Sequence, residues 1–132
     1  MEAAIKTENL SKEYGGIFRV KDLNLQIGEG EVYGFLGPNG AGKSTTMKMI
    51  LGLVRSTRGN IRVFGKTLTE KTRIEILSQI GSLIESPAYY GHLTGLENMR
   101  VIQKLMDLPE KNIQKALHIV RMEKQMNKKV KY

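Results

Sequence analysis

The segment at residues 37–45, GPNGAGKST, has the residue types and spacing that hold a chain of phosphates. It matches the pattern G-x-x-x-x-G-K-S/T, in which glycines let successive backbone amides face phosphate oxygens without an intervening side chain. Lys43 supplies a point charge for the β- and γ-phosphates, and the Ser44 hydroxyl is a small, hard ligand for Mg²⁺. The segment therefore predicts a loop that binds the phosphates of a nucleotide.

The sequence on either side of this loop favours the same interpretation. A short apolar run at residues 32–36 predicts a buried strand, and the apolar spacing over residues 44–54 predicts a helix whose positive dipole end faces the phosphates. The loop lacks the G-x-G-x-x-G spacing of a dinucleotide-binding turn. With average residue usage, its four fixed positions would match by chance in about 0.4% of chains of this length.

Hydrophobic periodicity predicts α/β structure around the loop. Thr94 and Glu97 have the spacing of a capping box, so a helix is expected to begin near Gly95. A loop rich in Pro, Gly and Tyr, residues 85–93, precedes it. The predicted strands are residues 4–10, 18–27, 32–36, 60–64 and 80–84, and the predicted helices are residues 44–54, 71–77, 95–105 and 110–122.

Composition narrows the class of protein. The 132 residues suffice for one domain, and 40% hydrophobic with 26% charged residues is ordinary globular usage. The absence of cysteine excludes a thiolate metal site and a cysteine nucleophile. The net charge is +8, but half of it lies in residues 121–132, where five basic residues accompany one glutamate and only Tyr132 is aromatic. This pattern favours a solvated basic segment, and no nucleic-acid partner is expected.

Three stretches resemble ATP-binding cassette (ABC) ATPases. The sequence GEVYGFLGPNGAGKSTTMKMILGL, residues 30–53, closely resembles the Walker A region of that family. Residues 58–65, RGNIRVFG, are also similar, although Arg58 replaces the usual small residue. The sequence IGSLIESPAYYGHLTGLENM, residues 80–99, resembles the bacitracin and lantibiotic export and immunity branch. The resemblance extends from about residue 5 to the end of the chain.

The resemblance implies an α/β fold, an incomplete P-loop ATPase core with a small antiparallel β-subdomain and the start of a helical subdomain. Residues 1–30 would be the β-subdomain strands and residues 31–84 the P-loop core. Residues 85–132 would be the equivalent of the family's Q-loop and the start of the helical subdomain. The strand at 32–36 would pair with strands from a further part of the ATPase.

The resemblance also implies a role for each site residue. Tyr14 corresponds to the aromatic residue that stacks on adenine, the alternative being a tyrosine that only packs in the β-subdomain. Glu85 replaces a glutamine that contacts Mg²⁺ and the attacking water, the alternative being a surface glutamate at a strand end. Lys43 and Glu85 would be catalytic, and Ser44 and Glu85 would bind the metal. The remaining contacts to ATP would come from Gly37, Pro38, Asn39, Gly40, Ala41, Gly42 and Thr45.

The function that the resemblance implies is ATP-driven export, with ATP and Mg²⁺ as cofactors and a peptide antibiotic as the cargo. The expected partners are a membrane-spanning permease and a second ATPase subunit, at the cytoplasmic face of the membrane. No apolar run in the sequence approaches the roughly 18 residues that span a bilayer. The family's signature sequence, Walker B strand and switch histidine are not found, so the chain is expected to be an N-terminal half that binds ATP without turnover.

Two other functions remain open from the sequence. An ABC ATPase that acts on ribosomes or DNA instead of transporting would carry the same loop. A basic nucleic-acid-binding module with a vestigial phosphate loop would explain the net charge of +8. Binding of random DNA that weakens steeply with salt would support the second alternative.

Overall fold

A long antiparallel hairpin begins the fold of the computed structural model, which describes residues 3–130. Strand β1 (Ala3–Tyr14) pairs with β2 (Ile17–Gly28), and the two glycines between them have φ of 55° and 81°. Positive φ at both central positions is what a type I′ turn requires, and this turn matches the twist of the two strands. The strands predicted at 4–10 and 18–27 are confirmed but extend as far as the turn.

The hairpin belongs to a four-stranded sheet in the order β2-β1-β3-β4. Strand β3 (Arg58–Val63) pairs antiparallel with β1, and the short β4 (Lys66–Thr67) pairs with β3. Apolar side chains of the strands pack together with the helix residues Met49 and Ile76. The buried apolar core consists of Leu10, Val20, Met49, Ile61, Val63 and Ile76.

The strands predicted at residues 32–36 and 80–84 are wrong. A strand is defined by its backbone hydrogen bonds to a neighbour, and within residues 3–130 neither segment pairs with a strand of the sheet. Both segments are extended or irregular, and the side chains of Val32 and Leu36 are almost completely exposed. The apolar character of the two runs therefore does not produce burial within the described part of the chain.

Helix α1 (Lys43–Ile50) follows the loop directly and is shorter than the predicted 44–54. Gly52 has φ of 62°, and the Leu53 amide donates to the Lys48 carbonyl at 2.8 Å. This is the hydrogen bond of a Schellman motif, which ends a helix at a left-handed residue. Helix α2 (Arg73–Leu77) begins two residues later than predicted.

The chain divides between Glu85 and Ser86 into two compact units, and the second contains helices α3 (Gly95–Leu105) and α4 (Lys111–Ile119). The capping box predicted at the start of α3 is confirmed, since the Thr94 hydroxyl accepts from the Glu97 amide at 3.2 Å. Helix α4 is shorter than the predicted 110–122 because Arg121 is left-handed, with φ of 55°. A single 3₁₀ turn, Glu123–Gln125, follows.

Three of the sequence predictions extend past the described residues, namely the basic segment at 121–132 and the ranges 1–30 and 85–132. The basic segment at 121–132 includes Lys131 and Tyr132, which lie outside them. Among residues 3–130, none of the helices has the length and apolar character that crossing a membrane requires.

Candidate functional site

Gly42 fixes the loop against the hairpin. It has φ of 88°, and a Cβ built on it would lie 2.3 Å from the Arg19 carbonyl oxygen and 3.0 Å from Val20 Cγ2. No side chain fits at that distance, so only glycine allows the loop to approach β2 this closely. The buried Thr46 side chain secures the same turn, since its hydroxyl donates to the Gly42 carbonyl at 2.9 Å.

Lys43 closes the loop on itself. Its Nζ donates to the carbonyl oxygens of Gly37 at 2.5 Å and Pro38 at 2.7 Å, and the Ala41 amide donates to the Pro38 carbonyl at 3.2 Å. An ammonium group carries three donors. Two therefore shape the loop, and the third has no partner within residues 3–130.

A cavity of about 370 Å³ lies between the loop and the hairpin. It brings together seven of the residues that the sequence singled out, together with one that it did not. The lining residues are Tyr14, Arg19, Asn39, Gly40, Gly42, Lys43, Ser44 and Thr45. Gly37, Pro38 and Ala41 do not line the cavity. Their backbone atoms form the hydrogen bonds to Lys43 and within the loop that shape it.

Tyr14 is the last residue of β1 and lies at this cavity beside the Gly-Gly turn. Its side chain is 48% exposed, and the Lys12 Nζ lies 4.8 Å from its ring centroid. Lys12 is itself held, since its Nζ donates to the Arg55 carbonyl at 2.7 Å. A cation over an aromatic face orients the ring, so Tyr14 presents a positioned surface to the cavity.

Glu85 is not among the residues that line this cavity. Its Oε1 lies 3.0 Å from the Lys48 Nζ, and Lys48 follows Ser44 by one turn of α1. Glu85 has φ of 60°, an uncommon backbone conformation for a side chain of this type. Glu85, one of the two predicted metal ligands, therefore contacts Lys48, which lies one helical turn from the other predicted ligand, Ser44.

Arg19 is the residue that sequence reasoning missed. The hairpin turn pairs Tyr14 with Ile17, and side chains two apart on a strand share a face, so Arg19 lies on the face of Tyr14. The signal was present in the sequence. The glycine pair at 15–16 is a typical hairpin turn, and it determines which β2 residues accompany Tyr14.

The cavity is electrostatically suited to an anion. Its ionisable side chains other than Tyr14 are the cations of Arg19 and Lys43. Within residues 3–130, no group of three or more His, Asp or Glu residues could hold a metal ion. Mg²⁺ commonly binds through one or two protein ligands and the phosphates of its nucleotide. The Ser44 hydroxyl at the cavity fits that mode, in which the nucleotide brings the metal.

Known proteins share both the sequence and the fold. The bacitracin transport ATP-binding protein BcrA of Enterococcus faecalis is 43% identical over 129 residues, 97% of this chain and 42% of BcrA. The lantibiotic transport ATP-binding protein SrtF of Streptococcus pyogenes is 39% identical over 116 residues, 88% of this chain and 49% of SrtF. The chain thus spans less than half the length of either relative.

A solved structure has the same fold. It is the dimeric, post-hydrolysis state of the ATP-binding cassette MJ0796 bound to ADP and Pi. It is 28% identical with a TM-score of 0.78, covering 95% of this chain and 61% of that one. The sequence profile described as ABC transporter matches residues 20–132, most of the chain. The protein described here therefore belongs to the ABC transporter family.

Proposed function

We propose that this chain is the nucleotide-binding part of an ABC exporter's ATPase subunit, which couples ATP binding and hydrolysis to export of a peptide antibiotic. The observation that carries the nucleotide assignment is the cavity shared by an aromatic ring, Tyr14, and a phosphate-type loop with Lys43. Bacitracin and lantibiotic transport, named for two relatives, supports the export of a peptide antibiotic.

Each part of ATP has a matching group in this proposal. The adenine ring stacks on Tyr14, which is worth about 1–3 kcal/mol for a base on an aromatic side chain. The β- and γ-phosphates bind the loop amides and the Nζ of Lys43, and Thr45 completes the lining. Binding energy at the phosphates comes from charge-assisted hydrogen bonds, which are shorter and stronger than neutral ones.

We propose Ser44 and Glu85 as the residues that bind Mg²⁺. When bound, the ion would neutralise part of the phosphate charge, and Ser44 would be its ligand at the start of α1. To bind the ion, the Glu85 carboxylate would have to break its ion pair with Lys48, in which Glu85 Oε1 and Lys48 Nζ are 3.0 Å apart. Exposed ion pairs contribute about 0–1 kcal/mol, so this exchange costs little.

The proposed partners are a membrane-spanning permease and a second ATPase subunit, at the cytoplasmic face of the membrane. The family's description as ABC transporter and the dimeric state of MJ0796 support them. We further propose that residues 1–30 are β-subdomain strands and residues 31–84 the P-loop core. Residues 85–132 would be the equivalent of the Q-loop and the start of the helical subdomain.

Nucleotide binding tests the proposal. We expect Mg-ATP to bind the 132-residue chain, and Lys43→Ala to weaken binding by about 1.5–3 kcal/mol, the value of a charged hydrogen bond. Displacement of a fluorescent ATP analogue by unlabelled ATP measures both affinities. The matched control is Lys21→Ala, because Lys21 also lies at the hairpin but its Nζ is over the Phe18 ring, 5.7 Å from the centroid. Equal affinities of wild type and Lys43→Ala would exclude the assignment.

A further inference from the structure

Arg19 is a charged side chain whose position the fold determines and whose charge no neighbour among the described residues neutralises. Its carbonyl oxygen is in close contact with the backbone at Gly42, so β2 and the loop hold Arg19 at the cavity. Arg19 is exposed, and within residues 3–130 no carboxylate lies within ion-pair distance of it. A guanidinium in this position is free to bind a ligand.

The other cations of the hairpin are already engaged. Lys6 pairs with Glu8 at 2.7 Å, and Lys12 lies over Tyr14. Lys21 lies over Phe18, as does Arg58 of β3, whose guanidinium carbon is 5.2 Å from the ring centroid. Arg19 alternates with Phe18 along β2, so it faces the other side of the strand. Among the hairpin's basic side chains in the described residues, Arg19 is the one that lines the cavity.

The place of Arg19 within the cavity indicates which part of the ligand it meets. A nucleotide that stacks on Tyr14 and extends its terminal phosphates into the loop has its ribose and α-phosphate in between. Arg19 shares the strand hairpin with Tyr14 and contacts the loop through Gly42, so it borders that middle segment. Guanidinium groups bind phosphate oxygens through several donors in one plane.

We propose that Arg19 binds the α-phosphate of the nucleotide, an inference that rests on the proposed ATP site. Two cations in one cavity, Arg19 and Lys43, concentrate positive potential where the phosphate chain lies. Arg19 is thereby a nucleotide-binding residue that does not discriminate ATP from ADP, because both carry the α-phosphate. Lys43, which meets the β- and γ-phosphates, is expected to affect ATP more than ADP.

The test compares Arg19→Gln and Arg19→Lys with wild type in the 132-residue chain, using ATP and ADP as competitors at several salt concentrations. Arg19→Gln should weaken both nucleotides by the same factor, about tenfold. It should also make the affinity less dependent on salt, since one charge contact is lost. Arg19→Lys keeps the charge and should recover part of the loss. Lys21→Gln is the matched control and should bind as wild type does, because Lys21 does not line the cavity and its Nζ lies over the Phe18 ring.

Several results would overturn the proposal. Unchanged affinity in Arg19→Gln, or a loss much greater for ATP than for ADP, would remove Arg19 from the α-phosphate. If Arg19→Gln weakens nucleotide binding but the affinity keeps the salt dependence of wild type, Arg19 contacts an uncharged part of the ligand. If wild type binds neither nucleotide, the proposed function fails together with this one. If wild type binds and Lys43→Ala does not, but Arg19→Gln is normal, only the Arg19 proposal fails.

Discussion

Glu85 shows how one residue can be held in a position other than the one its proposed role needs. In the structure its carboxylate contacts Lys48, one turn along α1 from Ser44. A carboxylate is a stronger ligand for a hard cation than an amide. If Glu85 binds the nucleotide's Mg²⁺ as proposed, the Lys48 ammonium and the metal ion compete for the same carboxylate.

This competition predicts the effect of two substitutions on the Mg²⁺ dependence of ATP binding. Glu85→Ala should raise the Mg²⁺ concentration needed for half-maximal ATP affinity, whereas Lys48→Met should lower it by freeing the carboxylate. Titration of ATP at a series of Mg²⁺ concentrations measures both shifts. Glu75→Ala is the control, because Glu75 forms a comparable exposed ion pair with Lys66. If Glu85→Ala gives the wild-type curve, Glu85 is a surface glutamate without a metal role.

At the residue scale, the sequence alone predicts those site residues that lie together in one contiguous segment. The loop residues follow from one contiguous motif, so the sequence identifies Lys43 and Ser44 directly. The structure places Tyr14 at the same cavity as these residues, and its stacking on adenine stays a prediction. Arg19 reaches the cavity only through the pairing of two strands, and a motif contains no information about that pairing. Lys48 as the partner of Glu85 is likewise a contact between residues 37 positions apart.

At the element scale, the C-terminal ends of α1 and α4 were harder to predict than their N-terminal ends. Helices α1, α3 and α4 all end in a left-handed residue followed by an amide that donates five residues back. Apolar periodicity continues past two of these ends, so the predictions at 44–54 and 110–122 are too long. The left-handed residues are Gly52, Asp107 and Arg121, and the donating amides are those of Leu53, Leu108 and Met122. Of these, only the glycine is a recognisable stop signal.

The beginning of α3 was predictable because the capping box is local, and it makes the helix sensitive to pH. The Thr94 amide donates to Glu97 Oε2 at 2.7 Å, and the Thr94 hydroxyl donates to the same oxygen at 2.8 Å. The backbone hydrogen bond is the main cause of a Glu97 pKa below its ordinary value of 4.5, and the hydroxyl adds to it. These bonds favour the charged carboxylate, so the folded state binds this proton less tightly than the unfolded state.

The lowered pKa of Glu97 predicts the direction of a pH effect. Its contribution to stability is fully present above pH 4.5 and is lost as the pH falls through the lower pKa of the folded state. Glu97→Gln should therefore lower the unfolding temperature at pH 7 and lower it by less at pH 3. Thermal unfolding followed by circular dichroism at both values measures this. A difference that is equal at the two values would contradict the assignment, and Glu29→Gln, in an exposed turn, provides the control.

At the scale of the whole chain, the first unit exposes much of its apolar surface. A cavity of about 580 Å³ is lined by apolar side chains of the hairpin, of α1 and of the two runs predicted as strands. Val32 and Leu36 lie in the first of these runs but not in the cavity lining, and the Leu36 side chain is 92% exposed. Contiguous apolar patches of this kind are sites of association. Hydrophobic periodicity predicts the apolar character of these runs, but it does not predict which other residues of the chain cover them.

Self-association of the chain is the consequence we expect from this surface. Burial of apolar area stabilises contact by about 25 cal/mol per Å², so wild type should form oligomers as its concentration rises. The double variant Val32→Lys with Leu36→Lys should stay monomeric to a higher concentration, because it places charge on the exposed apolar side chains of residues 32–36 without removing a buried side chain. Light scattering during size-exclusion chromatography measures the mass at each concentration. Ile74→Lys, which changes an exposed residue on α2, should behave as wild type. A double variant that associates as strongly as wild type would show that residues 32–36 do not form the contact.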